Sequence, residues 1–119
     1  MRNCGEEKAY KHVRCFYGDW KDLAKLMKAE GLEYDIIVGS DTVYCVQNIP
    51  ILLDLVRDVL KKDCGTAFMS GRTYYFGVGG GTRELNMLID SNYQELEHYQ
   101  AEHFTRGVER ETVGIKYKK

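Results

Sequence analysis

No run of apolar residues in this 119-residue sequence approaches the ~18 needed to span a bilayer. The opening residues, MRNCGEEKAY, lack both the apolar core of a secretory signal and the pattern of a transit peptide. Charge of one sign is also missing. Lys and Arg number 17 against 18 Asp and Glu, a net charge of -1, so no global positive field draws the chain to nucleic acid or an acidic membrane. Direct nucleic-acid and membrane partners are therefore not expected. The four cysteines, Cys4, Cys15, Cys45 and Cys64, form no C-x-x-C pair and have no zinc spacing with histidine. No metal is expected. Reduced cysteines imply a cytoplasmic or nuclear setting. His12, His98 and His103 have no triad-like partners, and no nucleophile-elbow motif is present, which argues against Ser-His-Asp catalysis. Repeats, low-complexity stretches and an interdomain linker are absent too.

What is present is a core-forming chain with 44% apolar residues, of a length that suits one domain. Val13, Cys15 and Tyr17 alternate in a short strand over 12–17. Gly18 breaks it, and Asp19 is placed to cap a helix whose stripe is Trp20, Leu23, Ala24 and Met27, ended by Gly31. The run Ile36-Ile37-Val38 predicts a strand buried on both faces, as in parallel sheets. Asn48 and Pro50 open a second helix with Leu52, Leu55, Val56, Val59 and Leu60 on its apolar face. A third strand covers 66–70. Thr82 is placed to cap a short helix carrying Leu85, Leu88 and Ile89, and a hairpin turning near Gly107 closes the chain. Strands that alternate with helices predict an α/β fold with a mostly parallel sheet and a terminal antiparallel hairpin.

In open α/β sheets, ligands bind beyond the carboxyl ends of the strands. Here those ends are Gly18-Asp19-Trp20, Ser40-Asp41-Thr42-Val43-Tyr44 and the segment from Ser70 to Tyr75. The first offers a close backbone approach, a carboxylate for an exocyclic amine and an indole for a purine; its structural alternative is an N-cap and a packed Trp20. In the second, Asp41 can fix a hydrogen-bond-donating substrate group and Tyr44 can orient it, or the two can be a turn cap and a core tyrosine. Gly77-Val78-Gly79-Gly80-Gly81 is neither a Walker A loop nor a G-x-G-x-x-G fingerprint, because Lys-Ser/Thr does not follow and Thr82 replaces the last glycine. A flexible loop that shapes a pocket, or a sharp reversal, fits it better than a phosphate cradle.

Three of these segments carry a resemblance. Cys15-Phe16-Tyr17-Gly18-Asp19-Trp20 resembles the F-F-x-G-E/D-W segment of class I, seven-β-strand S-adenosylmethionine-dependent methyltransferases. Residues 34–44, YDIIVGSDTVY, resemble their Y-D-x-I-x-x-[S/A]-[D/E]-x-x-Y segment, and Tyr75-Phe76-Gly77-Val78-Gly79-Gly80-Gly81 resembles the Y-F-G-V-G-G-G of protein-histidine N-methyltransferases. The resemblance spans roughly residues 11–118. It implies a Rossmann-like fold with S-adenosyl-L-methionine as cofactor. Gly18, Asp19 and Trp20 would lie at its adenine end and Ser40 near the methyl donor. Asp41 and Tyr44 would hold the substrate side chain, while Tyr75, Phe76, Gly77, Gly79 and Gly80 close over it. The implied substrate is a protein, for this family a ribosomal-protein histidine. A lysine-directed relative and a non-catalytic binding module are the alternatives.

The same resemblance implies that residues 1–119 are the C-terminal part of one methyltransferase domain. The family's glycine-rich first strand and the acidic end of its second do not occur in this sequence. In the family's strand order, 3-2-1-4-5-7-6, the strand at 12–17 would then be parted from the one at 34–39. Three arrangements are expected to be possible: a fragment, a repacking that pairs those two strands directly, or a partner chain that completes the sheet.

Overall fold

The structure, a computed structural model, describes residues 5–10 and 13–119, the first range by its backbone alone. His12 and Cys4, for which a sheet or surface position and a reduced thiol are expected, lie outside the described residues. Gly5–Tyr10 (β1) and Val13–Tyr17 (β2) pair antiparallel as a separate two-stranded sheet. Trp20–Ala29 (α1) follows, then Ile36–Ser40 (β3), a 3-10 turn at Val46–Asn48, Ile49–Val59 (α2), Thr66–Arg72 (β4), Thr82–Asn92 (α3), Leu96–Phe104 (β5) and Arg110–Tyr117 (β6).

The second sheet has the order β3-β4-β6-β5. It corresponds to the 4-5-7-6 half of the order that the resemblance implies. β3 and β4 are parallel, but β6 is antiparallel to both of its neighbours, β4 and β5. The expectation of a mostly parallel sheet is thereby corrected: a single reversed strand in the interior makes two of the three pairings antiparallel. Burial explains why the second arm of the hairpin goes inside. Val113 and Ile115 of β6 are buried on the core face, and Gly114 between them lies under the Tyr99 ring. β5 buries Leu96 and leaves its distal half exposed, a composition suited to an edge.

The core forms where α2 and α3 cover one face of this sheet. Leu53, Val56, Leu85, Ile89, Met69 and Ile115 are almost fully buried in one cluster. Each such side chain contributes about 1.5–3 kcal/mol of transfer free energy. Pro50 stands in the first turn of α2, where its missing N–H is not needed. Gly31 follows the C-terminus of α1 as expected, and α1 packs its Leu23 and Ala24 side toward α2. Thr82 differs from its expected role. Gly81 holds the N-cap position of α3, and Thr82 is buried with its hydroxyl on the Glu111 carboxylate.

β3 departs from the expectation of burial on both faces. Ile37 packs against the core cluster, but Ile36 and Val38 on the opposite face are 65% and 75% exposed. β3 is an edge strand with one face uncovered. β2 does not pair with it, so the repacked arrangement is not the one adopted.

This division predicts two different responses to mutation. Leu53→Ala removes a wholly buried side chain and is expected to lower the unfolding free energy by about 2–5 kcal/mol. Val38→Lys, on the open face, is expected to change it by less than about 0.5 kcal/mol. Urea denaturation followed by circular dichroism measures both.

Candidate functional site

At the carboxyl end of β3 the backbone of Asp41 turns into the left-handed region, with φ of 54°. A non-glycine residue there is uncommon, and aspartate is among the few side chains that tolerate it. Three contacts hold it. Its N–H donates to the Ser70 carbonyl at 2.8 Å. Its Oδ1 accepts from the Tyr75 hydroxyl at 2.6 Å and from Arg110 Nη2 at 2.9 Å. The Tyr75 hydroxyl in turn accepts from the Arg72 N–H at 3.0 Å. These donors hold the Asp41 carboxyl below its ordinary value of 3.8, with the Tyr75 hydrogen bond the largest cause and Arg110 next among those that lower it. Partial burial, then the hydrogen bond to Asp41, push the Tyr75 hydroxyl up.

The glycine-rich loop is folded by its own backbone. Tyr75 N–H donates to the Gly80 carbonyl and Gly79 N–H to the Tyr75 carbonyl. Gly81 N–H reaches the Val43 carbonyl at 2.7 Å, and Cys45 bridges to Gly79. The Y-F-G-V-G-G-G segment is thus laid against the Asp41–Tyr44 segment. Gly80 is the point of closest approach, since a Cβ there would lie 2.3 Å from the carbonyl oxygens of both Val43 and Tyr44. The N–H groups of Gly79 and Gly81 are consumed in this pairing, which removes them from any phosphate cradle.

A cleft of ≈ 630 Å³ opens beside this assembly. One wall is Gly18, Asp19, Trp20 and Lys21, at the start of α1. The other is Asp41, Thr42 and Tyr44, with Asn48 and Ile51 at the start of α2 completing the lining. That volume lies within the range of small-molecule sites, ~300–1,000 Å³. Two segments expected to carry chemistry therefore share one cleft. Tyr44 is half-exposed and stands edge-on to Tyr75, ring centroids 6.4 Å apart. Asp19 takes the N-cap position of α1 without a side-chain capping hydrogen bond.

The other expected residues divide. Ser40, the last residue of β3, is paired with Ser70 and exposed, outside the cleft lining. Tyr75 joins the site through its hydroxyl. Phe76 turns the other way: it is 90% exposed and edge-on to Tyr74 at 5.1 Å. Both line a second cleft of ≈ 430 Å³ with Thr73, Arg83, Val108 and Glu109. His98 and His103 occupy β5, paired with Asp90 at 2.9 Å and Glu109 at 2.6 Å. Among the described residues Cys15, Cys45 and Cys64 are free, and no group of three acidic, histidine or cysteine side chains is placed to hold a metal. Arg110 escaped the sequence reading, because only the register of β6 brings it to Asp41 from 69 positions away.

Comparison with known proteins bears on this cleft. A histidine protein methyltransferase 1 homolog of Dictyostelium discoideum is 42% identical over 72 residues, 60% of this chain. Homologs of the same name from Rattus norvegicus and Bos taurus are 30% and 32% identical, each over 65% of the chain. This chain is similar to part of the histidine protein methyltransferases. Each match covers 21–22% of the relative, so the chain spans about a fifth of the length of the curated relatives it matches. No protein-family model matches. The similarity to histidine protein methyltransferases agrees with the resemblance carried by the three motifs.

Two glycines of the loop separate close approach from backbone freedom. Gly80→Ala is expected to cost about 1–3 kcal/mol and to shift the amide signals of Val43 and Tyr44. Gly77→Ala has open space around it and bears only the cost of a φ of +88°, about 1–2 kcal/mol, with those signals unmoved. Asp41 also predicts a pH dependence. Its native value lies below 3.8, so its stabilisation is present above 3.8 and is lost as pH falls through the lowered native value. Asp41→Asn should flatten that acid limb in thermal unfolding measured from pH 5 to pH 2.

Proposed function

We propose that this chain forms part of an S-adenosylmethionine-dependent protein methyltransferase directed at histidine. The observation that carries this reading is the shared cleft: Gly18-Asp19-Trp20 and Asp41-x-x-Tyr44 line one cavity although some twenty residues separate them. The similarity to histidine protein methyltransferases supports the choice of histidine.

The residues present fit one end of the cofactor. Trp20 offers an indole face on which a purine stacks, and Asp19 a carboxylate for its exocyclic amine. Among the described lining residues, only Lys21 is a cation, and beyond Asp19 and Asp41 no carboxylate stands ready for a ribose diol. When bound, the cofactor supplies a methyl group on a sulfonium, which departs as a neutral thioether. The chain's part is positioning and exclusion of water. Asp41, held in its ionised form, accepts the N–H of the target imidazole, so that the other ring nitrogen presents its lone pair. The ring becomes cationic as its new N–C bond forms. Asp41 stabilises that cation until the N–H proton leaves to solvent. Tyr44 packs its ring or hydroxyl on the imidazole, and Tyr75 fixes Asp41 from the side.

The substrate in this reading is an exposed protein side chain, for which a ribosomal-protein histidine met in the cytoplasm or nucleus is the candidate. The one-sided fit to the cofactor favours a second reading, a non-catalytic methyltransferase-like binding module. A lysine target remains the nearest enzyme alternative, since a carboxylate and an aromatic ring also suit an ammonium group.

The test is calorimetric titration with S-adenosylmethionine, followed by transfer of a labelled methyl group to a histidine peptide and to its lysine counterpart. Binding is expected to weaken ~5–150-fold in Trp20→Ala, the range for loss of one base–aromatic stack. Transfer to the histidine peptide is expected to fall about 100-fold in Asp41→Asn with cofactor binding unchanged. Binding without transfer to either peptide would favour the module instead.

A further inference from the structure

Two other segments grip the Asp41 side chain at once, and both grips fall on the same atom. The Tyr75 hydroxyl and Arg110 Nη2 converge on Oδ1, at 2.6 Å and 2.9 Å. Among the described residues no donor is recorded on Oδ2. The residue pays for its position with a left-handed backbone, φ 54°, a conformation that persists where the surroundings over-determine it. Arg110 is the first residue of β6 and lies in register with Arg72, the last of β4. The reversed strand therefore delivers a guanidinium to the end of the sheet where β3 and β4 release their chains.

We propose that Arg110 is a positioning residue of this site: together with the Tyr75 hydroxyl it locks Asp41 through Oδ1 and reserves Oδ2 as the acceptor for the substrate's N–H. The inference rests on the methyltransferase reading for its catalytic meaning and on the geometry alone for the lock. A carboxylate with both oxygens mobile offers two acceptors that exchange by rotation, and the imidazole would follow either one. Anchoring one oxygen leaves one direction for the ring and one nitrogen facing the methyl donor, the kind of placement on which transfer rates depend steeply. A guanidinium suits the task because it is planar, permanently charged and directional, whereas an ammonium is a mobile point charge. The charged and titratable groups that face Asp41 are Tyr75 from the glycine loop, Arg110 from β6 and, at longer range, Arg72 from β4.

The experiment compares the intact chain with Arg110→Gln, Arg110→Lys and Tyr75→Phe. The Asp41 carboxyl carbon, assigned by its absence in Asp41→Asn, is followed by NMR as pH is lowered, and methyl transfer to the histidine peptide is measured on the same samples. Arg110→Gln is expected to move the Asp41 titration upward toward 3.8, and Arg110→Lys to restore part of that shift. In the transfer assay kcat is expected to fall about 100-fold in Arg110→Gln, with cofactor affinity unchanged and the acid limb of the rate profile displaced with Asp41. An Asp41 titration that ignores Arg110→Gln in a folded protein overturns the lock. A titration that moves while kcat stays at its original value overturns the positioning role. Absence of transfer by the unaltered chain overturns the enzymatic reading, and the carboxyl titration then still decides whether Arg110 holds Asp41.

Discussion

The direction of β6 decides what can meet at the cleft. A strand lying parallel to β4 would carry its last residue, Tyr117, to the end where β3 and β4 finish. Because β6 is antiparallel, its first residue arrives there instead, and Arg110 stands opposite Arg72 in the ladder. The direction follows from hydrophobic bookkeeping along the hairpin. Val113 and Ile115 bury fully, so β6 takes the interior position between β4 and β5. A short connection around 105–109 then forces it to run against β5. Core packing at one point of β6 thus fixes the electrostatics at another, three residues away.

The glycine-rich segment gains its meaning from the same economy of backbone. Its sequence invites a comparison with phosphate loops, yet two of its glycine N–H groups are spent on carbonyls. Gly79 closes on Tyr75 and Gly81 on Val43. What the absence of Cβ atoms allows is contact between two main chains, with Gly80 against the carbonyls of Val43 and Tyr44. That contact sets the distance from which the Tyr75 hydroxyl reaches Asp41. Its neighbours alternate away from the cleft, which is why Tyr74 and Phe76 form their own exposed pair over a separate hollow.

Much of this was legible in the sequence where the signal is local. The spacing of Trp20, Leu23, Ala24 and Met27 marks α1, and Asn48 with Pro50 marks the start of α2. The turn near Gly107 marks the hairpin of β5 and β6. Local signals fail where the outcome depends on a distant neighbour. Ile36-Ile37-Val38 reads as a doubly buried strand, but burial of Ile36 and Val38 needs a layer on their face, and the described residues provide none. Thr82 reads as a cap, but Glu111, 29 positions on, claims its hydroxyl. In the site, Asp41 and Tyr44 were visible through their place after a strand. Arg110 was not, because a charged residue at the start of an ordinary strand carries no mark of its use.

The two walls of the cleft are held by forces of different kinds. Asp41, Tyr44 and the glycine loop belong to the four-stranded sheet and its core, and hydrogen bonds from β4, β6 and the loop converge on them. Gly18, Asp19 and Trp20 lie between β2, which belongs to the other sheet, and α1, which reaches the core by packing against α2. Among the described residues no strand pairing ties the second wall to the first. Side-chain packing, with Leu23 and Ala24 of α1 buried and Trp20 against the core cluster, therefore sets the width of the cleft. Packing interactions are non-directional and yield to small shifts more readily than a ladder of backbone hydrogen bonds. The wall of Asp41 and Tyr44 is thus the rigid member and that of Trp20 the adjustable one. That ordering suits the proposed methyl transfer, in which orientation at Asp41 is kept while a flat ring is admitted beside Trp20.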